Sequence, residues 1–486
     1  MVNADHRLSS ADAAWLHMER PTNLMVINAV LLFDEQIDLE RLRQIVRRRL
    51  VDRYPRFRQR VVESRLPLLP PSFEDDPEFQ LDHHIHHRAL PVPGDDPALQ
   101  ELVGDLMATP LDYTKALWHM YLIDGYGETG CAVITRMHHC IADGIALGRV
   151  MLSLTDTARK AGIAGAEAQP LLDGQRSAGA RRLGALAPLA EPLLDGVRLG
   201  RGAARSLARR GVDISLHPRR LPRLAGALAR DAATVLRLTL TPSDERSAIK
   251  GDPHVSRRVG WTEPLDLTLV KRIAHDHGAS VNDVLLAAVS GALREYLRLH
   301  GGAVSEIQAI VPFNLRPLNE PVPRELGNRF GLVFLPLPVG VSGSYRRLVE
   351  VHQRMDRIKH SRDAPVSYGL IGAIGLTPPQ VERRVVDLFT GKGTAVMTNV
   401  PGPRRTVYLA GVPVKTVLVW APTSGHIGMS VSIFSYRDKV TVGLMVNAQL
   451  IPDPETITGQ LETELESLAR LEPTARAQRR QARPVR

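Results

Sequence analysis

The sequence predicts an α/β protein of two domains joined by a connector. Its 486 residues exceed what one hydrophobic core usually supports. Apolar runs typical of buried strands alternate with amphipathic helix patterns on both sides of an arginine-rich stretch in the middle of the chain. We therefore predict a first α/β domain at residues 1–160, a connector at 161–253, a second α/β domain at 254–471 and a basic tail at 472–486.

The first predicted domain mixes strand and helix signals. Serine and aspartate are favoured helix N-caps, and short apolar or β-branched runs indicate buried strands. The predicted elements are a short helix capped at Ser9, a strand at residues 26–33, a helix capped by Asp38, and strands at residues 118–123 and 131–136.

The strand at residues 131–136 leads into the most informative stretch of the chain, HHCIADG at residues 138–144. Apolar residues recur at helical spacing afterwards, so a helix is predicted to begin at Asp143 or Gly144. A turn from strand to helix holds a side chain rigidly at a crevice, and imidazole suits proton transfer near neutral pH. Our working hypothesis is that His139 is a general base.

Adjacent residues on an extended segment point to opposite sides, so His138 and His139 are expected to differ in role. One faces the crevice, and the other packs against it or orients it. Asp143 is a short anionic residue at a helix start, where it caps the helix or pairs with an arginine. We expect Asp143 to support the turn and not to accept the proton.

The formal net charge of +10 is concentrated in the connector. Residues 176–237 hold thirteen arginines and four acidic residues. Before Thr241 the pattern predicts an amphipathic helix, which either lies on an anionic lipid surface or packs its apolar stripe on the protein. Nucleic acid is not expected as a partner, because residues 176–237 contain no aromatic residue to stack on bases. The apolar stripe is Leu224, Leu228, Ala232 and Val235, and Arg223, Arg230 and Arg237 lie on the opposite face.

The second predicted domain contains its own series of helix and strand patterns. Ser280 and Asp283 resemble a capping box at the start of a long helix, and Asn282 between them is a candidate for contact with substrate. The other predicted elements are a helix at residues 264–274 and strands at 307–313, 332–337, 396–400, 414–420, 428–436 and 439–446, the last two pairing as a hairpin.

Several classes of site are disfavoured. The histidines at positions 83, 84, 86 and 87 fit no standard zinc spacing, so we predict no metal and expect mostly solvated side chains on a short strand. Glycine-rich nucleotide motifs and the serine-hydrolase elbow are absent. Cys131 and Cys140 are too few for a disulfide framework and are expected to be buried and inert.

The chain also lacks a signal-peptide pattern and any apolar run long enough to span a bilayer. We therefore expect a cytoplasmic protein with no transmembrane helix.

Further motifs along the chain resemble those of a known family. Residues 138–144 resemble the HHxxxDG motif of coenzyme A-dependent acyltransferases, a superfamily that includes chloramphenicol acetyltransferase and peptide-synthetase condensation domains. Blocks elsewhere are similar to those of the bacterial wax ester synthase/diacylglycerol acyltransferase family, in order along almost the whole chain. They are LSSAD at 8–12, PLD at 110–112, LW at 117–118, VNDV at 281–284, LGNR at 326–329, TNVPGP at 398–403 and SY at 435–436.

The resemblance implies two chloramphenicol acetyltransferase-like α/β sandwich domains with a channel between them. It implies transfer of a long-chain fatty acyl group from acyl-CoA to diacylglycerol or a fatty alcohol, making triacylglycerol or wax ester. By this analogy His139 is the base, supported by His138 and Asp143. The amide of Gly144 and the side chain of Asn282 are candidate donors to the oxyanion. No cofactor is implied beyond acyl-CoA as co-substrate, and peripheral contact with a membrane or lipid inclusion is expected.

Two departures from the family pattern bear on substrate choice or membrane attachment. The Pro-Leu-Trp block reads Ala116-Leu117-Trp118, and the arginine-rich connector is long. Two other functions stay open at this point. One is a related acyltransferase with a polyketide or other alcohol acceptor, or with a carrier-bound donor. The other is a lipid-surface binding protein without turnover.

Overall fold

A computed structural model of the chain describes residues 7–64, 69–163, 221–302, 304–315, 323–375 and 377–472. Helices and strands alternate through these residues. The helices are α1 (Ser10–His17), α2 (Leu39–Val46), α3 (Asp96–Ala108), α4 (Gly144–Leu152), α5 (Leu221–Leu240), α6 (Leu267–Asp276), α7 (Val281–Leu299), α8 (Ser344–Lys359), α9 (Asp363–Ile374), α10 (Pro379–Thr390) and α11 (Pro454–Ala469).

The strands fall into two main sheets and two short pairs. They are β1 (Val26–Phe33), β2 (Gln59–Val62), β3 (Ser72–Asp75), β4 (Ile85–Ala89), β5 (Trp118–Tyr126), β6 (Gly130–His138), β7 (Arg257–Trp261), β8 (Leu265–Asp266), β9 (Ile307–Asn314), β10 (Phe330–Leu337), β11 (Ala395–Pro401), β12 (Tyr408–Leu409), β13 (Val412–Pro413), β14 (Thr416–Trp420), β15 (Met429–Tyr436) and β16 (Lys439–Asn447).

The first sheet has the strand order β14-β1-β6-β5-β4. β1 and β6 pair antiparallel over their whole lengths, from Val26 opposite His138 to Phe33 opposite Cys131. Every residue of β6 is buried, which explains its continuous apolar run before the histidines. The central position of β6 fixes the place where His138 and the following turn leave the sheet.

The second sheet has the order β10-β9-β11-β15-β16-β7, with β8 paired to β16. β15 and β16 form the predicted hairpin, with Tyr436 opposite Lys439. α7 packs against α11 and α8, and the same apolar core contains side chains of β15 and β16. The capping box predicted at Ser280 and Asp283 is present, since each residue's side chain accepts a hydrogen bond from the other's backbone N–H.

Two local expectations need correction. β14 was assigned to the second domain, but it is the edge strand of the first sheet, where Trp420 lies opposite Asn28. The domain boundaries at residues 160 and 254 stay predictions. β14 comes from the second predicted domain but pairs with a strand of the first. His84 was expected to be solvated, yet it is buried because its ring stacks on Trp118 at 4.8 Å between ring centroids and Nδ1 lies 2.8 Å from the Trp118 carbonyl oxygen.

The connector pattern before Thr241 does form a helix, α5. Of the predicted stripe, Ala232 is exposed and Val235 half-buried, whereas Leu238 is the buried residue. The arginines of residues 176–220, the side chains at positions 223, 224, 228 and 230, and the tail from residue 473 lie outside the described residues. None of the helices in the described ranges is long and apolar enough to cross a membrane.

The described part of α5 packs against the rest of the protein. Arg237 forms an ion pair with Asp363, and Asp231 pairs with Arg362, whose Nε lies 2.6 Å from the carboxylate. The Lys392 ammonium donates to the carbonyl oxygens of Leu238 and Thr239 at the end of the helix. The C-terminal turns of this helix therefore pack on the protein, but through Leu238 and ion pairs and not through the predicted stripe.

Candidate active site

A large apolar cavity lies between elements of the two sheets and encloses about 1560 Å³, counting its open mouth. Side chains of α1, α4, α9, α10, β9, β10 and β11 line it, together with Leu238 of α5. The few polar groups in its wall include His139, Asn314, Thr398 and Asn399.

His139 is the first residue after β6 and lies in the wall of this cavity. Its N–H donates to the carbonyl of Met25 at 2.7 Å, which holds the backbone in place as the strand ends. The imidazole stacks on Trp15 at 4.5 Å between ring centroids and lies 5.4 Å from the ring of Phe330. Only 5% of the residue is exposed to solvent.

Burial lowers the pKa of His139 to about 4, although its own backbone carbonyl and the side chain of Asn328 act in the opposite direction. The ring is therefore neutral at physiological pH. Nδ1 is buried and has no hydrogen-bond partner within the described parts of the chain. Nε2 is consequently the ring nitrogen available to a group in the cavity.

His138 has a contrasting environment. It is completely buried, and its Nε2 lies 3.1 Å from a carboxylate oxygen of Glu19 and 3.2 Å from the hydroxyl of Tyr113. Its Nδ1 accepts a hydrogen bond from the backbone N–H of Cys140 at 3.1 Å. Since Nδ1 accepts, the proton of His138 resides on Nε2 and is donated to Glu19. The ring ties the turn to the segment after α1 and to the segment after α3.

Asp143 and Gly144 form the start of α4, as the sequence predicts. One carboxylate oxygen of Asp143 accepts from the N–H of Ala146 at 2.8 Å, and the other accepts from the N–H of Arg329 at 3.1 Å. Gly144 lines the cavity, so the amino-terminal end of α4 faces the same space as His139. These contacts fit the supporting role expected for Asp143.

Asn282 lies apart from the other predicted site residues. It is not among the residues that line the cavity, and its side-chain oxygen accepts from the amide of Asn399 at 2.7 Å. Asn399 does line the cavity, and it belongs to the TNVPGP block. A direct contact between Asn282 and substrate therefore has less support than a contact through Asn399.

Metal ligation and thiol chemistry have no support in the described ranges. They contain no group of three or more His, Cys, Asp or Glu side chains able to hold a metal ion. Cys131 and Cys140 are buried and unpaired, and burial raises the pKa of the Cys131 thiol to about 12. Sequence reasoning did not identify Trp15, Phe330 and Asn328 as site residues, although the LSSAD and LGNR blocks lie beside them.

Known proteins resemble this chain along most of its length. The model of the wax ester synthase/diacylglycerol acyltransferase catalytic domain matches residues 8–285, and that of the C-terminal domain of the same family matches residues 326–469. The chain belongs to the wax ester synthase/diacylglycerol acyltransferase family. A probable diacylglycerol O-acyltransferase of Mycobacterium tuberculosis is 27% identical over 423 residues, which are 86% of this chain and 84% of the relative.

Solved structures show the same fold. The wax ester synthase/diacylglycerol acyltransferase from Marinobacter aquaeolei VT8 has a TM-score of 0.64 at 20% identity, covering 96% of this chain and all of that one. The first condensation domain of the CDA synthetase has a TM-score of 0.59 at 16% identity, covering 96% and 97%. The predicted α/β fold class, the family resemblance and the predicted enzyme class, an O-acyltransferase of triacylglycerol or wax ester synthesis, are confirmed.

Proposed function

We propose that this family member transfers a fatty acyl group from acyl-CoA to an alcohol with His139 as the general base. The observation that carries the proposal is the position of a buried, neutral imidazole in the wall of a large apolar cavity. An apolar lining of this kind suits the hydrocarbon chain of a lipid substrate. Acyl-CoA takes part as a substrate, so the reaction needs no resident cofactor.

Nε2 of His139 takes the proton of the acceptor hydroxyl as the alcohol oxygen attacks the thioester carbonyl carbon. A tetrahedral intermediate forms with the negative charge on the former carbonyl oxygen. The intermediate then collapses, the carbon–sulfur bond breaks, and the imidazolium returns the proton to the thiolate of CoA. The products are an ester and free CoA, and no covalent acyl-enzyme is needed.

The negative oxygen requires hydrogen-bond donors. The N–H of Gly144 is one candidate, because it lies at the amino-terminal end of α4 and Gly144 lines the cavity. The amide of Asn399 is a second candidate, which replaces Asn282 in this role on the geometry described above. Asp143 and His138 hold the turn that presents His139.

An acceptor panel tests the proposed reaction. Purified protein is incubated with palmitoyl-CoA and either a diacylglycerol, hexadecanol or a short polar alcohol, and free CoA and the ester products are measured. We expect CoA release coupled to triacylglycerol or wax ester formation. Release of CoA without ester, or esterification of the polar alcohol alone, would contradict a lipid acceptor.

We also propose that the exposed edge of α5 and α10 contacts a lipid surface. Leu236 and Leu240 on α5 are 59% and 70% exposed, and Val381 and Leu388 on α10 are exposed as well. Both helices contribute lining residues to the cavity, among them Leu238. Exposed leucines beside the cavity provide apolar contacts for a bilayer or lipid inclusion that supplies the acceptor.

Vesicle sedimentation tests this surface. The double variant Leu236→Ser, Leu240→Ser should bind phosphatidylcholine–phosphatidylglycerol vesicles several-fold less than the wild type. Leu299→Ser, which changes a leucine of similar exposure (53%) at the end of α7, is the matched control and should bind normally. Equal binding by all three proteins would contradict a lipid contact at this edge.

A further inference from the structure

One face of the second sheet forms the floor of the cavity beside His139. Alternate residues of three adjacent strands line the cavity, as expected where one side of a sheet borders a space. They run from Ile310 to Asn314 in β9, from Phe330 to Phe334 in β10 and from Val396 to Val400 in β11. The opposite face of the same strands packs in the apolar core with α7 and α8. The cavity therefore extends along the strands.

His139 lies at one end of this floor. Its ring is 5.4 Å, between centroids, from the ring of Phe330, the first residue of β10. Phe330 lies opposite Asn314, the last residue of β9. The side chain of Asn399, close to the end of β11, also lines the cavity. Polar groups of the wall are thus found at the end of the floor where the proposed reaction takes place.

The other end of the floor is apolar. Phe334 lies opposite Ile310 there, and Ile310 is beside Val396 in the neighbouring strand. Ile310 and Asn314 are four positions apart, which corresponds to about 13 Å along an extended strand. A hydrocarbon chain whose reacting end is at His139 can therefore lie along this floor.

Residues just before β11 join the end of α5 to the apolar end of the floor. The Lys392 ammonium donates to the carbonyl of Leu238 at 2.8 Å, and Lys392 precedes β11 by three positions. The next residue, Gly393, packs so closely on Ile310 that a Cβ at this position would lie 2.9 Å from the isoleucine Cδ1. Leu238 is therefore placed at the end of the floor that is remote from His139.

The segment after α5 is fixed at the same end. The carboxylate of Asp244 accepts from the backbone N–H of Gln308 at 2.7 Å and from the hydroxyl of Thr394 at 2.6 Å. Gln308 is near the start of β9, and Thr394 directly precedes β11. Contacts on two strands thus hold the chain across the apolar end of the cavity.

Leu238 is the described side chain of α5 that lines the cavity. It is 2% exposed, whereas Leu236 and Leu240 on either side of it are 59% and 70% exposed. The helix is therefore a single layer between the cavity and the exterior. The ion pairs of Arg237 and Asp231 hold the helix without the Leu238 side chain, so a substitution there should change the cavity and leave the helix in place.

We propose that Leu238 is the wall at which the hydrocarbon chain of a substrate ends, and that it sets the longest chain the enzyme accepts. The inference rests on the proposed function, in which the reacting group lies at His139. The chain belongs to the acyl donor or to the alcohol, since both are linear hydrocarbons. Each further buried methylene strengthens binding about four-fold. The gain ends where the chain meets Leu238.

Two series of substrates measure this limit. One varies the donor from octanoyl-CoA to eicosanoyl-CoA with hexadecanol as acceptor, and the other varies the alcohol over the same lengths with palmitoyl-CoA as donor. For the chain that lies on the floor, kcat/KM of the wild type should rise with length and then fall. Leu238→Ala should move the maximum to longer chains by roughly the three carbon atoms that the substitution removes. Leu238→Trp should move it to shorter chains.

Opposite shifts in the two variants differ from the effect of lost stability, which would lower kcat/KM at every length. Thr239→Ala changes the next residue of α5, which is exposed, and this matched control should keep the profile of the wild type. A shift in one series supports the proposal and identifies the chain that reaches Leu238. An unchanged maximum in both series, or the same shift in both, would overturn it.

Binding without turnover separates this inference from the proposed function. Fatty acids of the same lengths displace a fluorescent fatty acid from the protein, and the displacement gives their affinities. The length that binds most tightly should increase in Leu238→Ala and decrease in Leu238→Trp. Such shifts in a protein that makes no ester would refute the proposed function and support the wall. Ester formation with no shift in kinetics or in binding would refute the wall alone.

Discussion

The two sides of the HHCIADG turn present adjacent histidines to opposite environments. On the side of Glu19 and Tyr113, both ring nitrogens of His138 are engaged in hydrogen bonds and the side chain is sealed from solvent. On the cavity side, the His139 ring packs on the rings of Trp15 and Phe330, and its Nδ1 has no hydrogen-bond partner among the described residues. Two identical side chains therefore lie in different environments, and the proposed function assigns proton transfer to the one on the cavity side.

The largest expected effect of a substitution in this pair is at His139. His139→Ala should lower kcat by about 10²–10⁴, the usual contribution of a positioned general base. The fold should persist, because the ring makes stacking contacts and its Nδ1 makes no hydrogen bond within the described parts of the chain. CoA release from palmitoyl-CoA and circular dichroism are the measurements, and activity near that of the wild type in the folded variant would refute the assignment.

His139, on the cavity side of the turn, should contribute to the pH dependence of stability. His139 is neutral in the folded chain down to a pKa of about 4, whereas in the unfolded chain its pKa is the ordinary 6.5. Between these values the unfolded chain binds a proton that the folded chain does not, so the free energy of unfolding falls as the pH falls. The loss reaches about 3 kcal/mol at most.

Urea unfolding at pH 7 and pH 4.5 measures this difference, and His139→Gln should show a smaller loss between the two conditions than the wild type. The same low pKa predicts that kcat stays level from pH 8 down to about pH 5. An acid limb centred at pH 6.5 would mean that burial does not control this imidazole.

Replacement of His138 should affect stability more than chemistry. His138→Ala removes the partner of the Cys140 N–H and one partner of the half-buried Glu19 carboxylate, which still accepts from the N–H of Met25. The loss costs about 1–3 kcal/mol in the free energy of unfolding. Thermal melting measures the loss, and kcat of the folded variant should stay well above that of His139→Ala. A folded His138→Ala protein as inactive as His139→Ala would reverse the roles assigned to the pair.

The smallest expected effect comes from Trp15, which lines the cavity and stacks on His139. Trp15→Leu removes the ring stacked on His139, an interaction worth about 0.5–1.5 kcal/mol. Weaker burial should raise the pKa of His139 and shift the acid limb of kcat upward. Trp261→Leu, which changes a buried tryptophan elsewhere, should leave the pH profile unchanged. Matching shifts in both variants would show that the stack does not tune the base.

Local patterns in the sequence predicted local structure well. The strand Val26–Phe33, the caps at Ser9, Asp38 and Asp143, and the capping box at Ser280 follow from neighbouring residues alone, and the structure contains all of them. The HHCIADG turn was recognisable for the same reason. Each depends on side chains that meet within one helical turn or along one strand.

The features that were missed depend on distant contacts. Asn328 reaches the carbonyl of His139 across 189 positions of sequence, and Trp420 lies opposite Asn28 in a sheet assigned to the other half of the chain. Asn282 was a reasonable candidate by position, but its partner Asn399 cannot be inferred from helix capping. Register and long-range pairing are set by the packed core, which no local pattern encodes.

The position of β14 at the edge of the first sheet has a consequence for biosynthesis. β1 is among the earliest strands to leave the ribosome, yet one of its two edges stays uncovered until Thr416–Trp420 has been translated. An uncovered edge strand is a template for incorrect pairing. The first sheet therefore cannot be completed until the second half of the chain has been synthesised. Expression of the first predicted domain as a separate fragment should yield an aggregation-prone product.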